Sequence, residues 1–199
     1  MNIVIVKYNA GNIRSVDFAL KRLGIEAEIT SDKKKIRRAD KVIFPGVGEA
    51  STTMKYLREH ELDTLIRDLK QPVLGICLGL QLLCSYSEEG NTDCIGIFKE
   101  RVIKFKAPTS EKNTYKIPHM GWNSISMLTS DIFDTSLDGQ YVYFVHSFHA
   151  EIGDATAAVT HYIVPFSAAL QKDNFYATQF HPEKSGSTGE QILKNFLAL

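Results

Sequence analysis

Cys77 lies in the run Gly75-Ile76-Cys77-Leu78-Gly79, with a glycine two residues away on each side. A cysteine thiolate is a strong nucleophile, but it needs a base to take its proton and a third group to orient that base. A partner is written further along the chain. His181 is followed by Pro182 and Glu183. Proline drives the residue before it into an extended conformation, and residues two apart in an extended chain point the same way. An imidazole and a carboxylate on one side of a rigid segment make a base with its orienting group. A third stretch, Phe44-Pro45-Gly46-Val47-Gly48-Glu49-Ala50, has two glycines that let backbone amides approach a ligand closely. Taken singly, each has a plain alternative: a buried core thiol, a solvated strand end, an ordinary strand-to-helix turn. The other histidines are weaker candidates for the base. His60 and His161 sit in polar or strand contexts, and His119, His146 and His149 lack a paired acid.

These residues need elements to hold them. The first half alternates strand and helix patterns. Residues 2–6 read as a buried strand. Ile13, Val16, Leu20 and Leu23 keep helical spacing, with Asn12 as a candidate N-cap and Gly24 ending the helix. Residues 25–29 read as a half-buried strand, and Ser31 as the cap of a short basic helix over 33–38. Residues 41–44 read as a strand stopped by Pro45-Gly46, followed by helix from 50 to 69. Then come a strand over 72–76 and a helix from 78 to 87. Strands joined by helical crossovers predict a parallel sheet covered on both faces. Cys77 then falls at a sharp strand-to-helix turn, the geometry of a nucleophile elbow, where bulky neighbours would collide. Such a turn presents its side chain at the carboxyl end of the sheet and at the amides of a helix N-terminus.

The second half reads as short strands near residues 101–105, 123–127, 141–145, 156–163, 167–171 and 175–180. A surface loop is expected over 107–116 and a last helix from about Gly189 to Leu199. The expected fold is α/β: a single domain, residues 1–199, with a mixed, mostly parallel central sheet flanked by helices. Of 199 residues, 23 are Lys or Arg and 23 are Asp or Glu, so the formal net charge is zero. That gives no electrostatic reason to expect nucleic acid or a membrane as partner. The basic run Lys33 to Arg38 reads as a solvated helix face. No apolar run approaches the length of a membrane span. Cys77, Cys84 and Cys94 lack framework or zinc spacing and read as free thiols, which fits a cytoplasmic location. Cys84 reads as core.

The PGVG loop, the GICLGLQLL elbow and the FHPEKS segment, in this order, resemble the class I, triad-type glutamine amidotransferases over nearly the whole chain. That resemblance implies a flavodoxin-like architecture, with Cys77 as nucleophile, His181 as base and acid, and Glu183 as its orienting group. It implies an oxyanion hole from the amides of Val47 and Leu78. It also implies a pocket for L-glutamine involving Gly48, Gln81 and the backbone at Ser147 and Phe148. The stretches IPHMGWN (Ile117 to Asn123), YFVHSF and FHPEKS are similar, more narrowly, to the glutaminase subunits of imidazole glycerol phosphate synthase. Those subunits dock on a (β/α)₈-barrel cyclase as a heterodimer, and the resemblance implies Trp122, Tyr143 and Lys184 near that partner. No metal or organic cofactor is called for. Glycines 46 and 48 would make a peptide flip in the oxyanion loop cheap, so that docking could switch the site on. The first loop departs from the family pattern: in KYNAGN, Lys7 and Asn9 replace an acid and a glycine. This leaves room for a paralogue feeding ammonia to another synthase, such as one in a surface-sugar pathway. Two other readings of the same residues are an elbow cysteine that senses oxidants and a catalytically idle binding subunit.

Overall fold

The structure, a computed structural model, describes residues 1–8, 12–108 and 115–199. Asn9 and most of the expected 107–116 loop fall outside them. Four short apolar runs, β1 (Ile3–Val6), β3 (Lys41–Gly46), β4 (Val73–Cys77) and β13 (Phe175–Thr178), are buried along their length. They lie side by side as parallel strands in the order β1-β3-β4-β13, with the edge strand β2 (Ala27–Thr30) on β1. The order 2-1-3-4 followed by a fifth parallel strand is that of flavodoxin-like sheets. A strand buried on both faces needs apolar residues at every position, which these runs supply.

The two faces take alternate side chains. Val4, Val6, Val42 and Phe44 point to one core layer, shared with α2 (Lys33–Arg38), α3 (Ala50–Glu59), α4 (Leu62–Arg67) and α5 (Leu78–Leu83). Ile3, Ile5, Ile43, Leu74 and Ile76 point to the other, shared with α1 (Ile13–Arg22) and α6 (Gly186–Ala198). Beyond β13 the sheet continues through β12 (Val164–Lys172), β10 (Phe148–Ala150) and β7 (Arg101–Lys104), each antiparallel to the last. Two short strands, β5 (Tyr86–Ser87) and β6 (Thr92–Asp93), finish that edge, and β11 (Thr156–Tyr162) pairs with β12. A separate antiparallel ribbon joins β8 (His119–Ser124) to β9 (Tyr141–His146). No helix among the described residues is long and apolar enough to cross a membrane.

Several local expectations give way to the structure. Asn12 stands at the N-cap position of α1, but its side chain makes no cap bond. The short basic helix is capped by Asp32, which accepts from the Lys34 and Lys35 amides, and not by Ser31. Strand β3 runs on through Pro45 to Gly46. The helix expected over 50–69 is two helices, broken where Glu61 adopts φ 53°. Helix α5 ends at Leu83, and Tyr86–Ser87 pair instead as a strand with Arg101–Val102. The strand expected at 123–127 lies earlier, over the PHMGWN stretch, because those residues pair with β9.

Candidate active site

The three chemistry-bearing segments converge because their strands are neighbours. In β3 and β4, Gly46 pairs with Cys77; in β13 and β4, Thr178 pairs with Ile76. All three strands are parallel, so the PGVG turn, the cysteine turn and the FHPE segment leave the sheet at the same edge, where such folds bind ligands.

Cys77 ends β4 and begins α5 with φ 54° and ψ −107°. A non-glycine residue held there stores strain of about 1–3 kcal/mol. The flanking glycines are there for clearance. A Cβ on Gly75 would lie 2.8 Å from Leu83 Cδ1, and one on Gly79 would overlap the Phe44 carbonyl oxygen. Gly46 is equally closed in: its Cβ would lie 2.8 Å from both Gly79 N and Leu78 Cβ. Gly48 stands at φ 120° with open space around it.

His181 and Glu183 meet, though by a different route from the expected one. His181 is extended as its proline requires (φ −97°, ψ 96°), but Pro182–Lys184 form a 3₁₀ turn. That turn brings His181 Nδ1 within 2.7 Å of Glu183 Oε1, both groups being buried. The segment is bolted to β9. The His181 amide donates to Tyr143 O (2.9 Å), Ser185 Oγ donates to His181 O (2.6 Å), and Ser185 Oγ accepts from the Tyr143 amide (2.9 Å). Burial works against a charge on the imidazole. The negative charge on the Cys77 sulfur and the bond to Glu183 outweigh it, and raise His181 to about 10. Among the described residues the buried His181 Nε2 has no hydrogen-bond partner, leaving it available to a reacting group.

A cavity of about 350 Å³ opens at this point, lined among others by Val47, Gly48, Cys77, Leu78, Gln81, Ser147, Phe148 and His181. Every sequence-derived residue for the reaction and the substrate lines it except Glu183, which stands behind His181. Trp122, Tyr143 and Lys184 are also brought together, the first two on the β8–β9 ribbon and Lys184 on the 3₁₀ turn beside it. Trp122 and Tyr143 pair across the strands with ring centroids 6.1 Å apart, and Lys184 Nζ lies 5.9 Å over the Tyr143 ring. Lys7 is exposed, and its amide continues the pairing to Thr30 O (2.8 Å).

Four residues at the site were not foreseen from the sequence. Asn12 Nδ2 donates to the same Glu183 Oε1 that holds His181 (2.7 Å). Tyr8 Oη donates to the Pro45 carbonyl, supporting the PGVG turn; burial, then the charge on Cys77, push its phenol well up. Gln179 Nε2 lies 3.8 Å from Cys77 Sγ, and Gln179 Oε1 accepts from Gln81 Nε2 (3.0 Å). Glu89 is the one carboxylate among the lining residues; it accepts from the Ala50 amide (2.8 Å), and burial pushes it up. Gln179 had a signal, a polar residue in the apolar run FYATQF; Asn12 had none, since capping explained it. Among the described residues no group of three His, Cys, Asp or Glu is gathered as for a metal ion. The geometry is that of a thiol, an imidazole and a carboxylate at a helix N-terminus, which suits acyl transfer.

Comparison with known proteins agrees. Residues 4–199 match the family model of class-I glutamine amidotransferases. Over its full length the chain is 63% identical to an imidazole glycerol phosphate synthase subunit HisH of Bacteroides fragilis, also covered in full. It is 45% identical to the HisH subunit of Escherichia coli, with both chains covered in full. A solved glutamine amidotransferase structure superposes with a TM-score of 0.73 at 20% identity, covering 98% of this chain and 97% of that one.

Proposed function

Because the chain belongs to the class-I glutamine amidotransferase family, we propose that it hydrolyses L-glutamine at Cys77 as the glutaminase subunit of imidazole glycerol phosphate synthase, in histidine biosynthesis. The observation that carries the reading is the cavity lined by Cys77 and His181, with Glu183 2.7 Å behind the imidazole. Full-length relatives at 63% and 45% identity carry that subunit's name, which favours it over a paralogue of another pathway.

The chemistry follows from the positions. The Cys77 thiol loses its proton to His181 Nε2, and the sulfur attacks the side-chain carboxamide carbon. The carbonyl oxygen gains charge and is met by the amides of Val47 and Leu78, the second of them at a helix N-terminus. His181 returns the proton to the amide nitrogen, the C–N bond breaks and ammonia leaves. A glutamyl thioester remains on Cys77. Water, deprotonated by His181, attacks it; glutamate and the free thiol are released. Glu183 holds the imidazole with Nε2 toward the sulfur and balances its charge, and Asn12 fixes Glu183. Glu89, in the cavity lining, is suited to the α-ammonium of the substrate, and Gln81 and the Ser147–Phe148 backbone to its other polar groups.

The ammonia is delivered to a (β/α)₈-barrel cyclase that makes imidazole glycerol phosphate and an aminoimidazole carboxamide ribotide. The docking face is the ribbon carrying Trp122 and Tyr143, with Lys184 on the turn beside it; the ribbon adjoins the cavity through Val145 and Ser147. The test is glutamine hydrolysis with and without that cyclase and its nucleotide ligand. The reading expects weak turnover alone, strong stimulation by the partner, and none of either in Cys77→Ala. A Cys77→Ala variant with full activity would end it.

A further inference from the structure

The mechanism uses one histidine, yet two more are buried beside the cavity in a chain of hydrogen bonds that reaches it. His146 Nδ1 lies 2.7 Å from the Phe148 carbonyl oxygen, His119 Nδ1 lies 3.1 Å from His146 Nε2, and Asn123 Nδ2 lies 3.4 Å from His119 Nε2. A carbonyl only accepts, so the proton of His146 is on Nδ1 and its Nε2 accepts. The proton of His119 is then also on Nδ1, and its Nε2 takes the Asn123 amide hydrogen. With two neutral imidazoles each link has one direction, and an added proton would set N–H against N–H or against the Asn123 amide. The rings are held for this. His119 is stacked between Tyr162 (4.1 Å) and Phe144 (4.8 Å), and only 4% of His119 and 6% of His146 are exposed. Burial pushes His119 down to about 4 and His146 to about 3.

The chain ends where substrate is expected. The Phe148 carbonyl also accepts from Gln81 Nε2 (3.0 Å), whose other hydrogen goes to Gln179 Oε1, and the Gln179 amide reaches Cys77 Sγ. A carbonyl with two donors is fixed, and so is the cavity wall at Ser147–Phe148.

We propose that Asn123, His119 and His146 are positioning residues: a relay of two neutral imidazoles that fixes the Phe148 carbonyl and, through Gln81 and Gln179, the setting of the Cys77 sulfur. Strand β8, whose outer side carries Trp122, is thereby tied to the nucleophile through its inner residues. The inference rests on the glutaminase reading for its kinetic test but not for its spectroscopic one.

The spectroscopic test is the ¹⁵N–¹H correlation of the imidazoles in the wild-type protein at pH 7. His119 and His146 are expected neutral with the proton on Nδ1; either ring charged, or protonated on Nε2, overturns the relay. The kinetic test uses His119, which does not line the cavity. His119→Phe keeps the ring stack but leaves His146 Nε2 unpaired, and is expected to lower kcat/KM for glutamine about tenfold, the scale of one buried hydrogen bond. His119→Asn loses the stack but restores a donor near Nδ1, and is expected to lie within about threefold of wild type although its Tm falls further. A packing role reverses the order, with Phe the better variant in both measurements, and that result overturns the proposal. If the wild type shows no glutaminase activity, the proposed function falls instead, and the tautomers alone decide the relay.

Discussion

Gly79→Ala perturbs the elbow at the point where it has least room. An added Cβ overlaps the Phe44 carbonyl oxygen, so strand β3 and helix α5 must separate by about 1 Å to restore contact distance. Neither side yields easily. Phe44 is fully buried, and α5 is buried at all six positions. Overpacking of this kind costs about 1–3 kcal/mol, which for a chain of this length lowers Tm by roughly 2–12 °C. The retreating strand carries Pro45 and Gly46 and leads to Val47, whose amide is proposed for the oxyanion hole. A displacement near 1 Å at reacting groups reduces turnover by about 100-fold. Gly75→Ala is the control. Its Cβ meets the tip of Leu83 at 2.8 Å and Gly79 backbone at 3.1 Å, inside the core and away from the cavity. It is expected to lower Tm comparably while leaving kcat/KM within about tenfold. Calorimetry and a glutamine hydrolysis assay on both variants decide the matter. A Gly79→Ala enzyme with wild-type Tm and kcat/KM would refute the account of the elbow.

Cys77→Gly relieves the φ 54° strain and is expected to raise stability by about 1 kcal/mol while abolishing turnover, as read by Tm and the same assay. Glu183→Gln keeps an acceptor for His181 but removes the charge; kcat is expected to fall about 100-fold or more and the His181 pKa, followed by NMR, to drop from its raised value. Asn12→Asp sets a second carboxylate against Glu183 Oε1 and is expected to lower both Tm and kcat, where Asn12→Ala lowers kcat more mildly. Acid should weaken the fold before the carboxylates titrate. His119, His146 and His149 are depressed in the folded state, to about 4, 3 and 4, so the unfolded chain binds more protons once the pH passes below 6.5. The share these three contribute is therefore intact above 6.5 and lost as pH falls toward 4, by about 2 kcal/mol per buried histidine between 6.5 and 5. Glu89, raised by burial, works weakly the other way, and so does His181, raised to about 10, whose contribution is full below 6.5 and lost as pH rises toward 10. Urea titrations at pH 7 and pH 5 measure the sum, and equal midpoints would contradict it.

What could be read from the sequence was what local chemistry writes there. The continuous apolar runs of β1, β3, β4 and β13 have no other use than double burial, and Gly75 and Gly79 mark a turn without room. Partners across the fold left no such trace. Asn12 looks like a helix cap, and its contact is 171 residues away. The PHMGWN stretch carries no alternating apolar pattern, and it becomes a strand through pairing with β9. Tyr86–Ser87 extend a helical pattern until the Arg101–Val102 edge claims them. His119 and His146 lacked a paired acid in the sequence and were passed over, because what they pair with is each other.

The central claim is a covalent one, and the direct measurement is mass spectrometry of the protein quenched in acid during turnover of L-glutamine with the proposed cyclase partner. The account expects a glutamyl adduct on the peptide carrying Cys77, absent from Cys77→Ala. Glutamine consumed with no adduct on that peptide, and at an undiminished rate in Cys77→Ala, would contradict it.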